Sequence, residues 1–330
     1  MNRVVLLAFV FLSALSACAE PSLQMIEVQP DIQLETLDWD GPGRDVLLLA
    51  GLGQTAHIYE YFAPRLATQY HVVAMTRRGY GASTHAAGGY TPTRLALDII
   101  AVCDSLNLTS PVLVGHSLAG AEMAHVARLR PGRFAGFVFL DGAYDPSLVT
   151  DYSALAPPPE QPAPRSADRI SSDGVRNYIR RTRGYLAPET EIAALHVFTV
   201  DGRLKDLNSS KLSQGLIMDA MTSPPFHRID APSLAIFTKP TLASLYPAHA
   251  TFSSTAKKAA KARIHLLRQL MSAQLATFEA NSPDAWTQVW DGSSHHLFLT
   301  EPTRVLTATR ALIEALPPEA EPTPGVSHDQ

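Results

Sequence analysis

Residues 112–120, with the sequence VLVGHSLAG, constrain the fold more than any other part of the chain. An apolar, β-branched run stops at Gly115 and His116, and the residues after Ser117 favour a helix. This order predicts a strand, a sharp turn with the serine at its tip, and a helix. Gly115 and Ala119 keep side chains small two residues before and after Ser117, so that the turn does not clash with itself. The segment is therefore predicted to be a nucleophile elbow, in which a strained backbone exposes the serine hydroxyl.

Apolar runs alternate with helix-like segments through the first half of the chain. Residues 57–68 and 91–106 are predicted helices. The predicted strands, which are nearly continuous apolar runs, are residues 45–50, 71–75, 112–116 and 135–140. Such runs are typical of strands covered on both faces. The pattern predicts an α/β fold with a mostly parallel central sheet flanked by helices.

The pattern changes after residue 145. Residues 156–164 are rich in proline, and residues 171–226 are polar and predicted to be mostly helical. Strand-like runs return at residues 232–237 and 286–290, with a long predicted helix between them. The predicted domains are a core of residues 24–145 and 229–316, an inserted helical cap (lid) of residues 146–228, and a disordered tail of residues 317–330.

Residues 1–18 have the features of an export signal. Arg3 precedes an apolar stretch, residues 4–15, whose 12 residues are too few to span a bilayer. We favour a bacterial lipobox ending at Cys18, which predicts a periplasmic or outer-membrane-anchored lipoprotein, attached to the membrane through lipidated Cys18. The alternative is ordinary cleavage after Ala19, which gives a soluble extracellular protein. Both interpretations place the mature protein outside the cytoplasm.

Composition excludes several classes of function. The formal net charge is −4, and the chain has no basic run with interleaved aromatic residues, so no nucleic-acid partner is predicted. No histidine or carboxylate cluster has metal-ligand spacing, so neither a metal nor another cofactor is predicted. Cys103 lies on the apolar face of a predicted helix and is interpreted as a small buried hydrophobe. The sequence does not indicate an oligomeric state.

A serine nucleophile requires a general base, and two adjacent histidines, His295 and His296, follow the last predicted strand. Together with the elbow, this loop makes the chain resemble the α/β-hydrolase family. Members of that family tend to have a proline seven residues after the catalytic histidine and an apolar residue ten after it. Counting from His295 reaches Pro302 and Val305. The resemblance therefore favours His295 as the base, and His296 is the alternative.

The base needs a carboxylate that orients it. The family usually supplies this acid after the strand that corresponds to residues 234–237, but residues 231–278 contain no aspartate or glutamate. Asp141, directly after the strand at 135–140, is the remaining candidate. Some relatives, similar to haloalkane dehalogenases, carry their acid there. Asp145 is a second candidate, and Asp141 could instead cap a turn.

Two backbone amides are candidates for an oxyanion hole, the pair of N–H donors that binds a developing negative charge. The Leu118 amide lies at the start of the helix after the elbow, and the Leu52 amide lies after the strand at 45–50. Relatives often have His-Gly where this chain has Ala50-Gly51. They also often have aspartate where this chain has Thr76.

The resemblance implies a serine hydrolase that cleaves a small ester-like molecule through an acyl-enzyme. The same residues would also serve a lactonase, an amidase, a perhydrolase or a carbon–carbon bond hydrolase. A non-catalytic, ligand-binding member of the fold is the alternative outside enzymes, suggested by the missing acid. Arg176, Arg180 and Arg183 lie on one face of a predicted cap helix. They could capture an acidic substrate group, but we favour a solvated face paired with carboxylates.

Overall fold

The computed structural model describes residues 20–145, 148, 158–208, 211–220 and 228–318. The predicted export signal and Cys18 lie outside these residues, as do residues 319–330 of the predicted tail. Within the described residues, no helix combines the length and the apolar character that crossing a membrane requires.

The described residues form ten strands and ten α-helices, which are numbered in chain order. The strands are β1 (Ser22–Gln29), β2 (Ile32–Asp38), β3 (Asp45–Leu49), β4 (His71–Met75), β5 (Val112–His116), β6 (Gly136–Leu140), β7 (His196–Phe198), β8 (Leu204–Leu207), β9 (Ser233–Lys239) and β10 (Ala285–Asp291). The helices are α1 (Ala63–Leu66), α2 (Pro92–Ser105), α3 (Ala119–Leu129), α4 (Ser172–Arg183), α5 (Glu189–Leu195), α6 (Lys211–Ala220), α7 (Leu242–Leu245), α8 (Ser254–Asn281), α9 (Leu297–Thr300) and α10 (Pro302–Ala315).

Eight strands form one sheet in the order β1-β2-β4-β3-β5-β6-β9-β10. The pairings of β1 with β2 and of β2 with β4 are antiparallel, and those from β4 to β10 are parallel. Alternate residues of β3 enter different cores: Val46 and Leu48 pack on one face of the sheet, and Leu47 and Leu49 on the other. The predicted mostly parallel sheet, flanked by helices, is confirmed.

The helix predicted over residues 57–68 is wrong. The segment forms a 3₁₀ turn at Ala56–Tyr59 and the single-turn helix α1. Pro64 lies inside the predicted helix and has no N–H to donate to an earlier carbonyl, so the hydrogen-bond ladder cannot run through it.

The chain between β6 and β9 contains α4, α5, the β7–β8 hairpin and α6. We call its described residues 158–208 and 211–220 the cap segment. The hairpin differs from the predicted helical character. Residues 196–200 are rich in β-branched and aromatic side chains, and Gly202, with φ of 82°, forms the turn.

A second insertion, between β9 and β10, carries α7 and α8. Helix α8 contains 28 residues, and only a few of its side chains are buried. Cys103, on α2, is fully buried, and burial raises the pKa of its thiol to about 12. This environment suits the predicted small hydrophobe rather than a reactive thiol.

His71 joins three strands at the amino edge of the sheet. Its Nδ1 atom lies 2.7 Å from the Asp45 carboxylate, and its Nε2 atom lies 3.2 Å from that of Asp38. Hydrogen bonds to Asp38 and Asp45 raise the pKa of His71 to about 10. The imidazolium therefore ties β2, β3 and β4 together.

This site predicts a loss of stability at alkaline pH. An unfolded chain releases the His71 proton near pH ~6.5, but the folded state retains it to about pH 10. The stabilisation is complete below the lower value and is lost as pH rises through the upper one. We expect His71→Gln to lower the unfolding free energy by about 2 kcal/mol at pH 6 and to have almost no effect above pH 10. Urea unfolding across this range measures it, and a difference that does not vary with pH would contradict the assignment.

Candidate active site

Ser117 occupies a strained turn between β5 and α3. Its φ is 53°, in the left-handed region that non-glycine residues rarely adopt. A Cβ atom at Gly120 would lie 1.7 Å from the carbonyl oxygen of Gly142, so only glycine allows α3 to approach the loop after β6. A Cβ at Gly115 would lie 3.1 Å from the Ala119 Cβ, so glycine at the first position leaves room for alanine at the second.

The structure brings Ser117, His295 and Asp141 together. The His295 Nε2 atom lies 3.0 Å from Ser117 Oγ, and His295 Nδ1 lies 2.6 Å from Asp141 Oδ2. The His295 side chain is 37% exposed and that of Asp141 is 3% exposed. The chain of hydrogen bonds from Ser117 through His295 to Asp141, called the relay below, therefore leads from the cavity wall into the protein interior.

Asp141 is held from the strand where the family usually places its acid. Thr238, on β9, donates two hydrogen bonds to the carboxylate: the backbone N–H at 2.8 Å and the hydroxyl at 2.7 Å. Burial alone would raise the pKa of Asp141, but the hydrogen bonds from His295 and Thr238 outweigh it and lower the pKa below its ordinary value. Asp145 instead exchanges backbone hydrogen bonds with the Gln274 side chain.

Thr238 is not predicted from the sequence. The one indication of its role is that no carboxylate follows β9, so that the residue there can support an acid on the neighbouring strand. Because β6 and β9 pair in parallel, their carboxyl ends are adjacent, which makes this support geometrically simple.

His296 does not enter the relay. Its ring stacks on Tyr185 of the cap segment, with ring centroids 4.2 Å apart. Burial, together with the neighbouring His116 and His295 rings and the Arg183 guanidinium, lowers the pKa of His296 well below its ordinary value. The side chain is therefore a neutral packing group under the cap segment.

His116 fixes the backbone of the histidine loop. Its Nε2 atom lies 2.9 Å from the His295 carbonyl oxygen, and its Nδ1 atom lies 3.1 Å from the side-chain amide of Gln54. Burial, together with the His295 ring, lowers the pKa of His116 to about 3, so the imidazole is neutral and has one N–H. That N–H must donate to the carbonyl, which leaves Nδ1 as an acceptor. Gln54 therefore presents its NH₂ group, which also gives its otherwise unpaired Nε2 atom a partner.

Arg77 holds the loop that carries the Leu52 amide. Its guanidinium donates to the carbonyl oxygens of Gly51 at 3.2 Å and Ala50 at 2.8 Å, and it pairs with Glu122 of α3 at 2.5 Å. The pair is buried, with side-chain exposures of 6% and 3%. The loop after β3 and the helix after the elbow are thus connected through one side chain.

The Leu52 and Leu118 amides are available for a ligand. Neither donates a hydrogen bond to any residue within the described ranges. Both residues line the same cavity as Ser117. Backbone amides fixed beside a nucleophile can bind an oxyanion as charge develops on it.

The cavity beside Ser117 has a volume of about 660 Å³. Helix α8 contributes Leu267, Leu270 and Met271 to its apolar lining. The cap segment adds side chains that include Tyr178 and Arg183. In the part of the chain that the structure describes, no group of three histidine, cysteine, aspartate or glutamate side chains could hold a metal ion.

Known proteins share both the sequence pattern and the fold. The model of the alpha/beta hydrolase family matches residues 46–308. The chain is 39% identical over 85 residues to a non-heme chloroperoxidase from Streptomyces lividans, a match that covers 26% of this chain and 30% of that protein. It is 34% identical over 97 residues to an epoxide hydrolase from Caballeronia sordidicola, covering 28% of this chain and 30% of that protein. The matches thus span less than a third of these relatives.

Among solved structures, that of E-2-(acetamidomethylene)succinate hydrolase superposes with a TM-score of 0.66 at 20% identity. The superposition covers 89% of this chain and 100% of the other. At this identity the likeness concerns the fold. The family match over most of the chain, together with the mostly parallel eight-stranded sheet, shows that this protein belongs to the alpha/beta hydrolase family.

Proposed function

We propose that this protein is a serine hydrolase that cleaves a small carboxylic ester through an acyl-enzyme. The observation that carries the proposal is the continuous relay from Ser117 Oγ through His295 to the buried Asp141, at 3.0 and 2.6 Å, at the wall of a cavity. Each group has the partner that its role requires, and the two unpaired amides lie beside the nucleophile.

In the first half of the reaction, Ser117 Oγ attacks the ester carbonyl carbon while His295 Nε2 accepts the serine proton. Asp141 accepts a hydrogen bond from His295 Nδ1–H, which fixes the tautomer with a free Nε2 and stabilises the imidazolium. The Leu52 and Leu118 amides donate to the tetrahedral oxyanion. The intermediate collapses as His295 returns the proton to the departing alcohol.

In the second half, His295 removes a proton from water, which attacks the acyl carbon. Collapse of this intermediate releases the carboxylic acid and returns the proton to Ser117 Oγ. His116 positions His295 through a hydrogen bond to its backbone carbonyl oxygen. Thr238 positions Asp141 through two hydrogen bonds to its carboxylate. A serine at the elbow does not support the aspartate-based alkyl transfer by which some relatives open epoxides or remove halide.

A fluorophosphonate probe tests this proposal directly. We expect the wild-type protein to be labelled, with the adduct on the peptide that contains Ser117. Ser117→Ala should not be labelled at all, and Asp141→Asn should react about 10³–10⁴ times more slowly, because the amide no longer stabilises the imidazolium or the required tautomer.

The control is the fold of each variant, compared by circular dichroism and thermal unfolding. No labelling of folded wild type, under conditions that label another serine hydrolase, would support a non-catalytic ligand-binding role. Labelling of Asp141→Asn at the wild-type rate would remove Asp141 from the mechanism. A panel of esters, lactones and amides then separates ester hydrolysis from the other reactions that this triad could perform.

We also propose that residues 1–18 direct export and that Cys18 is lipidated, so that the hydrolase acts outside the cytoplasm. The support is the apolar stretch at residues 4–15 and the Leu-Ser-Ala-Cys sequence that ends it. Metabolic labelling with a palmitate analogue, compared between the full-length protein and Cys18→Ser, distinguishes lipidation from ordinary cleavage.

A further inference from the structure

The arginines of α4 differ in their partners. Arg176 is paired with Asp173 at 3.0 Å, and Arg181 is paired with Asp168 at 2.6 Å. The side chains of Arg180 and of Arg183, the last residue of the helix, have no hydrogen bond or ion pair to any residue that the structure describes. Of the three arginines on the predicted helix face, Arg176 has the expected carboxylate partner, whereas Arg180 and Arg183 have none among the described residues.

Arg183 differs from Arg180 in position, because it lines the cavity that contains Ser117. Leaving histidines aside, Asp141 and Arg183 are the only charged side chains among the described residues that line this cavity. Asp141 is satisfied by His295 and Thr238. Among the described lining residues, Arg183 is therefore the one charged side chain without a partner.

The cap segment and α8 contribute different kinds of side chain to the cavity. Five cap-segment residues line the cavity, and four of them carry a polar group: Gln161, Tyr178, Thr182 and Arg183. The fifth is Met218. The side-chain oxygen of Gln161 is buried and has no hydrogen-bond partner among the described residues. Three of the four lining residues from α8, Leu267, Leu270 and Met271, are apolar.

We propose that Arg183 binds an anionic group of the substrate, so that the preferred substrates are esters whose acyl part ends in a carboxylate. This inference rests on the proposed ester hydrolysis at Ser117. The guanidinium matches a carboxylate with two parallel N–H donors. The apolar wall of α8 accommodates the methylene chain between the carboxylate and the scissile ester.

Two esters of equal chain length test the preference: 4-nitrophenyl hexanoate, which is neutral, and mono-4-nitrophenyl adipate, which ends in a carboxylate. The measured quantity is the ratio of kcat/KM for adipate to that for hexanoate. We expect Arg183→Met to lower this ratio about 10- to 100-fold, mainly through a higher KM for the adipate ester. Arg183→Lys should retain part of the preference, because it keeps the charge but not the planar fork.

Arg180→Met is the matched control, since Arg180 lies on the same helix, is exposed and does not line the cavity. It should leave the ratio at the wild-type value. An unchanged ratio in Arg183→Met, or an equal fall in Arg180→Met, would overturn the inference.

Binding to Ser117→Ala protein separates this inference from the catalytic proposal. Calorimetric titration with monomethyl adipate and methyl hexanoate measures recognition without turnover. We expect tighter binding of the adipate ester, lost when Arg183→Met is added. Equal binding of both esters overturns the anion site even if wild type hydrolyses them. Selective binding without hydrolysis by wild type retains the anion site and rejects the proposed function.

Discussion

Replacing His295 by alanine is expected to lower kcat for ester hydrolysis by about 10⁴–10⁶, whereas the same change at the adjacent His296 should lower it less than about tenfold. His295 is the group 3.0 Å from Ser117 Oγ, so its loss removes the general base and leaves catalysis to the backbone amides. His296 carries no proton in the mechanism. Its ring stacks on Tyr185, so its loss should loosen the cap segment and act on KM and stability.

The two variants are matched, because they delete the same side chain at neighbouring positions of one loop. Steady-state kinetics with 4-nitrophenyl hexanoate give kcat and KM, and urea unfolding gives the stability of each protein. A large fall in kcat for His296→Ala with near-normal activity of His295→Ala would exchange the two roles. Equal losses of kcat in both, in folded proteins, would mean that the loop acts as a unit and that neither histidine alone is the base.

The sequence marks the residues of this candidate site for different reasons. The elbow is encoded within nine consecutive residues, because the strand, the strained serine and the close helix all depend on local side-chain size. The resemblance to the family favours His295 through its spacing to Pro302, the first residue of α10. The same resemblance favours Asp141, because residues 231–278, where the family usually places the acid, contain no carboxylate.

The parts that the sequence did not reveal depend on contacts between distant segments. Thr238 lies 97 residues from the carboxylate that it supports, and no local pattern marks it. The arginines of α4 differ only in which partners the fold brings to them. The apolar wall from α8 was missed for the same reason: the helix was predicted, but its packing against the cavity was not. Periodicity identifies an element, and tertiary contacts decide which of its faces meets the ligand.

Arg77 illustrates such a contact, and replacing it by methionine is expected to lower the unfolding free energy by about 3–5 kcal/mol. The change leaves the buried Glu122 carboxylate without its partner and removes two hydrogen bonds from the carbonyls of Ala50 and Gly51. Because these carbonyls anchor the loop that carries the Leu52 amide, kcat should also fall, by about 10- to 100-fold. Loss of an entire oxyanion donor typically costs about 10²–10³, which sets the upper limit.

The double variant Arg77→Met, Glu122→Leu separates the two effects. Removing the unpaired carboxylate should restore most of the lost stability, since an apolar pair of similar volume can replace a buried ion pair. It cannot restore the hydrogen bonds to Ala50 and Gly51, so kcat should stay low. Arg78→Met is the control: Arg78 is equally buried and pairs with Asp98 at 2.6 Å, but it does not touch the loop, so it should cost stability without lowering kcat. If the double variant regains kcat together with stability, Arg77 acts through the fold alone. If kcat stays low in a stable protein, the loop after β3 is held in its catalytic position by this guanidinium, and the Leu52 amide is a working part of the site.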